Sequence, residues 1–526
     1  MAMEPDDYPI DPDTYREEPH SGKWYAADFP RWTEPVPFDS RNEEIFIISD
    51  LHIASGRDAL GVHTGSENFF ADEAFDRFLG HAEGLTRAVK KRGLLVINGD
   101  SFDFLRVSEI PSSAADFISW AAALQQLGFD KTVDELRKSI SDRERTYGLE
   151  TDDYKTIYKL IKIREGHPVF FSALGGWMAA GHRLLMTKGN HDLEIVWPAV
   201  RHYIRLLLAE EVSRQDPDTM VDNALRLIIR PAITFRDDSV LVGKDLYIEH
   251  GHRYDKYTMV LDDPFIVLKK GKQINLPFGS FFNRYLINRL ELAYPFLDKV
   301  RPGSNVVPML VKENLPLAYR VFFKQIPLLL RILRTNRRYT RFMLGRITPL
   351  LLALIPILAF VIWVLWPWLA NTAAPTSHSR LHDLFSNGAK TLGSGAGSLV
   401  LSYLLSRIAA SAQLVEPSTL NAYARHVVNA TKSPRQYKVM TMGHTHNPDA
   451  CYARIDIPVP ERPIFYNSGT WIPVIEIATA AVREDKTYTF LHLATDAEGG
   501  LLPHSNLLRW NDDAGREDPQ LIIDPK

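Results

Sequence analysis

Five short apolar runs, each followed at once by a polar cluster, decide the fold of this chain. They are IFIISDLH (45–52), LLVINGDSFD (94–103), RLLMTKGNHD (183–192), LYIEHGH (246–252) and YKVMTMGHTH (437–446). Apolar runs of this length and β-branched content predict strands that are buried on both faces. Between these runs lie segments whose apolar residues recur at helical spacing, as at Phe75, Phe78 and Leu79 and across 113–165. The alternation predicts an α/β layered sandwich whose ligands bind beyond the carboxyl ends of the strands, where every polar cluster lies.

The composition excludes several classes of protein. A hydrophobic fraction of 45% and a charged fraction of 24% are those of an ordinary folded chain, so wholesale disorder is excluded. Sixty-one Lys and Arg against 64 Asp and Glu give a net charge of −3, and no nucleic-acid binding is expected. The single cysteine, Cys451, excludes an intrachain disulfide and a Cys-based zinc knuckle. The acidic start of the chain also differs from a secretory signal.

The same patterns divide the chain into five segments. Residues 1–41 are an acidic, Pro-rich lead-in, and 501–526 are a C-terminal tail. The sandwich domain is predicted in two parts, 42–255 and 436–500. Between them, 256–435 lacks the rhythm of strand and polar cluster and is predicted to be a helical insertion.

The polar clusters contain ligands of the kind that bind a pair of divalent metals. Carboxylate, imidazole and amide donors suit Mn, Fe or Zn, with Mn favoured here. Two such ions about 3.5–4 Å apart need a bridging carboxylate, and they activate a water molecule for attack on phosphorus. Asp100, at the tip of a predicted central strand, is the candidate bridge. The complete candidate ligand set is Asp50, His52, Asp100, Asn190, His250, His444 and His446.

In their order, DLH, GDSFD, GNHD, HGH and GHTH resemble the signature blocks of the calcineurin-like metallophosphoesterases. The resemblance covers 45–255 and 437–471, and it implies an αββα sandwich and a metal-dependent phosphoric ester hydrolase or pyrophosphatase. It implies that Asp50, His52 and His446 bind one metal and Asn190, His250 and His444 the other, with Asp100 between them. It also implies that His191 donates a proton or hydrogen bond to the substrate and that Asp192 orients His191. Asp103 would support the ligands, and His252 would lie nearby.

Each assignment competes with a purely structural one. A lone histidine at a strand end is more often a satisfied polar residue than a ligand. His444 and His446 are favoured as ligands because residues two apart on a strand point the same way. For Asp103 and His252 the two interpretations stay balanced, and His182 and His202 are interpreted as structural.

The insertion bears on the substrate class. The insertion is rich in Arg and apolar residues and lies between the HG and GHTH blocks. In both respects it resembles the insertion of the UDP-diacylglucosamine pyrophosphatase branch of the superfamily. This resemblance implies a lipid-linked substrate. The FYNSGTW run (465–471) also resembles the strand and turn downstream of GHTH in such relatives.

Two apolar segments of the insertion predict a membrane hairpin. Residues 347–370 carry no charge and would reach about 36 Å as a helix, against a hydrocarbon core of about 30 Å. The weaker segment 392–412 is the candidate return helix, because His250 and His444 must reach one metal from the same side. Eight Lys and Arg residues without an acid between Arg320 and Arg346 predict that the catalytic domain is cytoplasmic. A buried helix in a cap, or an apolar groove for an acyl chain, is the alternative.

The prediction is therefore a membrane-associated dinuclear phosphoesterase acting on a lipid-linked phosphoester or pyrophosphate. One alternative is a protein phosphatase or nucleotide phosphodiesterase that uses the insertion only as an anchor. Another is a non-catalytic scaffold of the same fold.

Overall fold

The computed structural model describes most of the two predicted sandwich segments and the first part of the insertion. The described residues are 35–39, 41–57, 61–62, 64, 67–237, 239–243, 245–255, 258–260, 265–268, 271–288, 316, 438–452, 464–476, 481–484, 486–493 and 506–520. The chain divides into two compact units, one of Met1–Lys299 with Glu416–Lys526 and the other of Val300–Val415. The predicted membrane segments 347–370 and 392–412, and most of the lead-in, lie outside the described residues. In the part of the chain that is described, no helix combines the length and apolarity needed to cross a membrane.

The first unit is built on two large β-sheets, and its described residues also form two two-stranded sheets, β7-β8 and β12-β13. In chain order the strands are β1 (Glu43–Ile48), β2 (Arg92–Asn98), β3 (Arg183–Thr187), β4 (Ile233–Arg236), β5 (Ser239–Val242), β6 (Leu246–Glu249), β7 (Phe265–Leu268), β8 (Gly271–Ile274), β9 (Val439–Met442), β10 (Asp449–Tyr452), β11 (Ile464–Asn467), β12 (Val474–Glu476), β13 (Ala481–Glu484), β14 (Thr489–Leu493), β15 (Asn506–Asn511) and β16 (Arg516–Pro519). The larger sheet has the order β16-β15-β14-β1-β2-β3-β4, and the smaller has the order β10-β11-β9-β6-β5. Strands β1 to β4 run parallel, as do β6, β9 and β11.

Helices connect the parallel strands of the larger sheet. The α-helices are α1 (Asp72–Ala88), α2 (Ala114–Gln126), α3 (Val133–Ser139), α4 (Asp142–Tyr147), α5 (Asp153–Gly166), α6 (Pro168–Ala179), α7 (Pro198–Gln215), α8 (Val221–Asn223), α9 (Arg230–Ala232) and α10 (Phe278–Phe282). Short 3-10 turns occupy Leu193–Val196 and His252–Tyr254, and π-helical turns occupy Ala224–Ile229 and Asn283–Ile287. Helices α2, α3 and α4 each begin at a Ser or Thr with a reciprocal capping box, which satisfies amides that a helix start leaves unpaired.

The central strands are apolar throughout because both of their faces are buried. In β1, Ile45 and Ile47 join the core between the two sheets, where they meet Val240 of the smaller sheet. Phe46 and Ile48 point the other way, into the core beneath the helices. Alternate residues of a strand point to opposite faces, so a two-sided core needs an unbroken apolar run. The mixed α/β class is therefore confirmed, with two facing sheets and a helical layer on the larger one.

The structure differs from the sequence prediction at two places. Within the predicted helical insertion, β7 and β8 form an antiparallel hairpin, consistent with the strand preference of Phe265, Ile266 and Val267. The predicted C-terminal tail instead supplies β15 and β16 to the larger sheet. In β15, Leu508 and Trp510 join the core beneath the helices and Leu507 joins the core between the two sheets, so this strand packs on both faces.

A buried cluster of charged groups holds the loop after β1. The Glu67 carboxylate accepts hydrogen bonds from the backbone amides of Ala54 and Gly56, at 3.2 and 2.6 Å. The His167 ring bonds Glu67 through Nε2 at 3.0 Å and Asp72 through Nδ1 at 2.9 Å. Burial alone would lower the pKa of His167, but the hydrogen bonds to Asp72 and Glu67 outweigh it and raise the pKa to about 9. The ring is therefore a buried cation that joins two carboxylates.

This cluster predicts a pH-dependent contribution to stability. The folded pKa of His167, about 9, lies above the ordinary histidine pKa of 6.5. The contribution is therefore fully present below pH 6.5 and is lost as the pH rises through 9, with a magnitude on the order of 3 kcal/mol. Urea unfolding of the wild type and of His167→Gln should differ most near pH 6, and the difference should shrink towards pH 10. A constant difference across that range would mean that the ring is neutral in the folded protein.

Candidate metal centre

The polar clusters lie together at one edge of the two sheets. The loops after β1, β2 and β3 carry Asp50 with His52, Asp100, and Asn190; the loops after β6 and β9 carry His250, and His444 with His446. Three groups of side chains within these loops have donor atoms close enough to hold a metal ion. The groups are Asp50, His52 and His446; Asp100, His250 and His444; and His52, Asp100 and His191. The predicted convergence of these residues is therefore seen in the structure.

The backbone at this edge is strained. Among the described residues, seven non-glycine residues have positive φ, and five of them are candidate ligands. These are Asp50 at 55°, His52 at 50°, Asp100 at 51°, His444 at 69° and His446 at 59°. The left-handed conformation costs about 1–3 kcal/mol per non-glycine residue and persists where the surrounding fold imposes it. Strain of this kind concentrates at functional sites, and here it lies at the strand ends that aim the donors.

Asp50, His52 and His446 form the first donor group. The two ring Nε2 atoms of His52 and His446 are 3.0 Å apart, and Asp50 Oδ1 lies 3.3 Å from His446 Nε2 and 3.8 Å from His52 Nε2. Two donors bound tetrahedrally at about 2.05 Å from one ion would be about 3.4 Å apart. The spacing of these three atoms therefore suits a shared cation.

Asp100, His250 and His444 form the second donor group. His250 donates from Nδ1 to the backbone oxygen of Asn98 at 2.8 Å, so Nε2 is the nitrogen left to bind a metal. That Nε2 is buried and lies 3.2 Å from Asp100 Oδ2. Without a metal, burial works against protonation of His250, but the charges of Asp100 and Asp50 outweigh it and raise its pKa to about 10. The two carboxylates thus favour positive charge at Nε2, and a metal ion would supply that charge in place of the proton.

The Asp100 carboxylate lies between the two groups. Its Oδ2 is 3.7 Å from His52 Nε2 and 3.2 Å from His250 Nε2, while its Oδ1 accepts the backbone amide of His191 at 2.8 Å. One oxygen therefore faces the imidazoles of both groups, as the sequence predicts for a bridging ligand.

Asn190 lies beside this carboxylate, because its chain neighbours Gly189 and His191 both approach Asp100. The side-chain Oδ1 of Asn190 is buried and has no hydrogen-bond partner. A buried acceptor without a donor is costly, and a metal ion would satisfy it. Asn190 Oδ1, His250 Nε2 and the Asp100 carboxylate together make a donor set of amide, imidazole and carboxylate groups that fits divalent metal ions.

His191 pairs with Asp103. Its Nδ1 lies 2.7 Å from Asp103 Oδ2, and Arg106 Nε approaches the same oxygen at 3.1 Å. Burial would lower the pKa of His191, but the carboxylates of Asp103 and Asp100 raise it to about 9. With Nδ1 bound, the partly exposed ring presents Nε2 as its remaining polar atom.

The expectation that Asp192 orients His191 is wrong. The Asp192 carboxylate is fully buried and accepts the backbone amides of Gly189 and Ser101 at 2.6 and 2.7 Å. Its burial and the nearby charge of Asp100 raise its pKa. Asp192 therefore ties the loop after β3 to the loop after β2, and Asp103 is the partner of His191.

Three other histidines, His252, His182 and His202, belong to none of the donor groups among the described residues. His252 is buried, its ring is 5.5 Å from that of His250, and it belongs to none of the metal groups among the described residues. Burial lowers its pKa well below the usual value. His182 accepts the backbone amide of Gly93 at 2.8 Å, as a structural residue does. His202 lies on α7 outside the metal groups of the described chain.

The end of β11 and the residues just after it hydrogen-bond to two of the ligand loops. Asn467 donates to the backbone oxygen of Gly443 at 2.8 Å, and Thr470 donates to the backbone oxygen of Asp50 at 2.8 Å. The FYNSGTW run marks this stretch in the sequence, but its contacts with both loops are not readable there. Thr258 and Asp255, which contact His444, carry no sequence signal at all.

Close packing at the ligand loops requires glycine. A Cβ on Gly443 would lie 2.5 Å from Asp50 Oδ2 and 2.6 Å from Ser49 Oγ. A Cβ on Gly189 would lie 2.1 Å from Asp100 Oδ1. Both glycines therefore let the backbone approach the two central carboxylates.

We expect Gly443→Ala to destabilise the protein by about 1–3 kcal/mol, because the new methyl group overpacks the site, and to weaken metal binding by displacing Asp50. The matched control is Gly84→Ala in the exposed middle of α1, where a Cβ meets nothing within 4 Å. That control should gain about 1 kcal/mol from helix propensity. Urea unfolding and metal content measure both variants, and an equal gain in stability with unchanged metal content would contradict the expectation.

In comparisons with known proteins, no model of a protein family and no curated protein matches this chain. The likeness to the metallophosphoesterase blocks therefore stays a resemblance of motifs. The chemistry of the donor groups is what carries the functional conclusion.

Proposed function

We propose that this chain is a metal-dependent phosphoric ester hydrolase that uses two divalent ions. One observation carries the proposal: a single oxygen of Asp100 lies 3.2 and 3.7 Å from imidazole nitrogens that belong to two donor groups. A shared carboxylate offsets the repulsion between two cations held close together. The first ion would be held by Asp50, His52 and His446, the second by Asn190, His250 and His444, and Asp100 would serve both.

The reaction is hydrolysis at phosphorus, in which an ester or anhydride P–O bond breaks and a P–O bond to water oxygen forms. A pair of such ions, when bound, polarises a phosphoryl oxygen and lowers the pKa of a water molecule. His191 faces the site with Nε2 and donates a proton to the departing oxygen, while Asp103 holds Nδ1–H at 2.7 Å. Asp103 also keeps the ring from turning, which fixes the direction of the donated proton.

The substrate we favour is lipid-linked and is hydrolysed at a cytoplasmic membrane surface. The composition of 347–370 and 392–412 supports this part of the proposal. Replacement of 347–412 by a short linker tests it. Hydrolysis of a detergent-dispersed lipid pyrophosphate should fall while that of a soluble aryl phosphodiester is retained. Equal retention of both activities would favour a phosphatase or nucleotide phosphodiesterase that uses the insertion as an anchor.

Metal removal tests the hydrolase proposal itself. Purified protein should contain about two divalent ions per chain, following the two-metal scheme. Dialysis against a chelator should abolish hydrolysis of bis(p-nitrophenyl) phosphate, and added Mn²⁺ should restore it. Protein that binds no divalent metal would reject the proposal. Protein that binds metal without any phosphoesterase activity would favour the scaffold alternative.

A further inference from the structure

Thr258 contacts the metal-site histidine His444 from a turn that follows β6. The Thr258 hydroxyl oxygen lies 3.3 Å from His444 Nε2 and 2.8 Å from the backbone oxygen of His252. The turn is closed by backbone bonds from Asp255 to His252 and from Thr258 to Asp255. Thr258 thus belongs to a folded turn anchored next to His250, at the point where the chain leaves the sheet.

The Thr258 hydroxyl has one hydrogen, so it can donate only one of its two hydrogen bonds and must accept the other. A backbone oxygen can only accept, so Thr258 donates its hydrogen to His252 at 2.8 Å. A lone pair of the hydroxyl then remains for His444 Nε2–H. The Asp255 carboxylate, another acceptor, lies 3.5 Å from the same nitrogen. Both neighbours therefore favour the tautomer of His444 with its hydrogen on Nε2.

We propose that Thr258 is a positioning residue that fixes this tautomer and leaves Nδ1 of His444 as the metal-binding atom. The inference rests on the proposed function only in requiring a metal at the second donor group. His250 in the same group is fixed the opposite way, because its Nδ1 donates to the backbone oxygen of Asn98 at 2.8 Å and Nε2 is the nitrogen left for a metal. The two imidazoles would thus present different nitrogens, each selected by an acceptor behind it. Such outer contacts orient a ligand ring and raise its basicity.

The test compares Thr258→Val, which keeps the shape and loses the acceptor, with Thr258→Ser, which keeps the hydroxyl. The matched control is Thr86→Val on α1, where the buried hydroxyl donates to the Glu83 backbone oxygen of its own helix. Metal-free full-length protein is titrated with Co²⁺, and calorimetry and the visible absorption of bound Co²⁺ are recorded.

We expect Thr258→Val to lower the affinity of one of two Co²⁺ ions by about 10–100-fold. Thr258→Ser and Thr86→Val should bind both ions as the wild type does. Thermal unfolding of the metal-free chains shows whether the variant is still folded. An unchanged unfolding temperature with weaker Co²⁺ binding would indicate a loss of ligand orientation.

Two results overturn the positioning role. One is wild-type affinity for both ions in Thr258→Val, and the other is an equal loss in Thr258→Ser, which would mean that the hydroxyl is not what matters. A wild-type chain that binds no Co²⁺ would reject the metal centre as well. A wild-type chain that binds two ions but hydrolyses no phosphoester would reject only the proposed reaction, and the Thr258 comparison would still be decisive.

Discussion

The Asp100→Asn variant is expected to bind at most one metal ion tightly and to lose phosphodiester hydrolysis by about a thousandfold or more. A metal pair contributes several kcal/mol to the transition state, and each 1.36 kcal/mol is a factor of ten in rate. Asparagine keeps the shape of the side chain and can still accept the His191 amide, which Asp100 Oδ1 accepts at 2.8 Å. The substitution removes the negative charge and one of the two carboxylate oxygens. The variant therefore loses the ligand that both donor groups share.

The matched control for this variant is Asp512→Asn. Asp512 pairs with Arg77 across the surface between β15 and α1, outside the metal groups of the described residues. An exposed ion pair of this kind contributes at most about 1 kcal/mol, so the control should keep its metals and its activity. Metal content by mass spectrometry and turnover of an aryl phosphodiester measure both. If Asp100→Asn retains two metals and wild-type turnover, Asp100 is not the bridge.

The stability of Asp100→Asn gives a second readout in the absence of metal. Burial would raise the pKa of Asp100, but the positive charges of His250 and His191 outweigh it and hold that pKa well below its ordinary range. The charge of Asp100 in turn raises the pKa of His250. Removal of this charge should therefore destabilise the metal-free protein at neutral pH, because the buried His250 ring loses the carboxylate that stabilises its positive charge. The gain in stability on adding Mn²⁺ should be smaller in the variant, because stabilisation by a ligand grows with its affinity.

The sequence predicts well the sheet edge that carries the candidate ligands, because each motif there directly follows a predicted strand. The predicted runs RLLMT and LYIE match β3 and β6 residue for residue. LLVIN lies within β2, IFIIS overlaps β1 over 45–48, and YKVMTM contains β9. A parallel strand brings its carboxyl end to a shared edge of the sheet, so the order of the motifs is enough to predict convergence. The left-handed backbone of Asp50 and Asp100 is not predictable in this way, since neither is a glycine.

The partners of the ligands depend on how loops turn, which residue spacing does not reveal. Asp192 is adjacent to His191 in sequence, yet the turn after β3 directs its carboxylate to two backbone amides. Asp103 is far away in sequence and lies 2.7 Å from the His191 ring. Thr258 is likewise 186 residues from His444 in the chain. Contacts of this range come from the pairing of neighbouring parallel strands, β2 with β3 and β6 with β9, together with the turns that follow them. The spacing of residues in one sequence carries no pattern for them.

Replacement of His191 by Gln is expected to lower hydrolysis by about 10²–10⁴-fold, the usual contribution of a general acid or base, while both metals stay bound. The backbone amide of His191 donates to Asp100 Oδ1 at 2.8 Å, and that bond survives the substitution. The ring is 20% exposed at the edge of the site, so its loss leaves no large cavity. Unchanged metal content therefore separates this variant from Asp100→Asn.

The leaving group shows whether the lost function is proton donation. A p-nitrophenolate leaves without a proton, whereas an alkoxide must be protonated as the P–O bond breaks. If His191 is the acid, the loss in His191→Gln should be much larger for an alkyl ester than for a p-nitrophenyl ester of the same phosphate. Asp103→Asn should show the same dependence more weakly, because it keeps the ring and removes the charge that holds Nδ1–H. An equal loss for both esters would mean that His191 binds the phosphoryl oxygens instead, and its pairing with Asp103 would then serve only to hold a positive charge beside them.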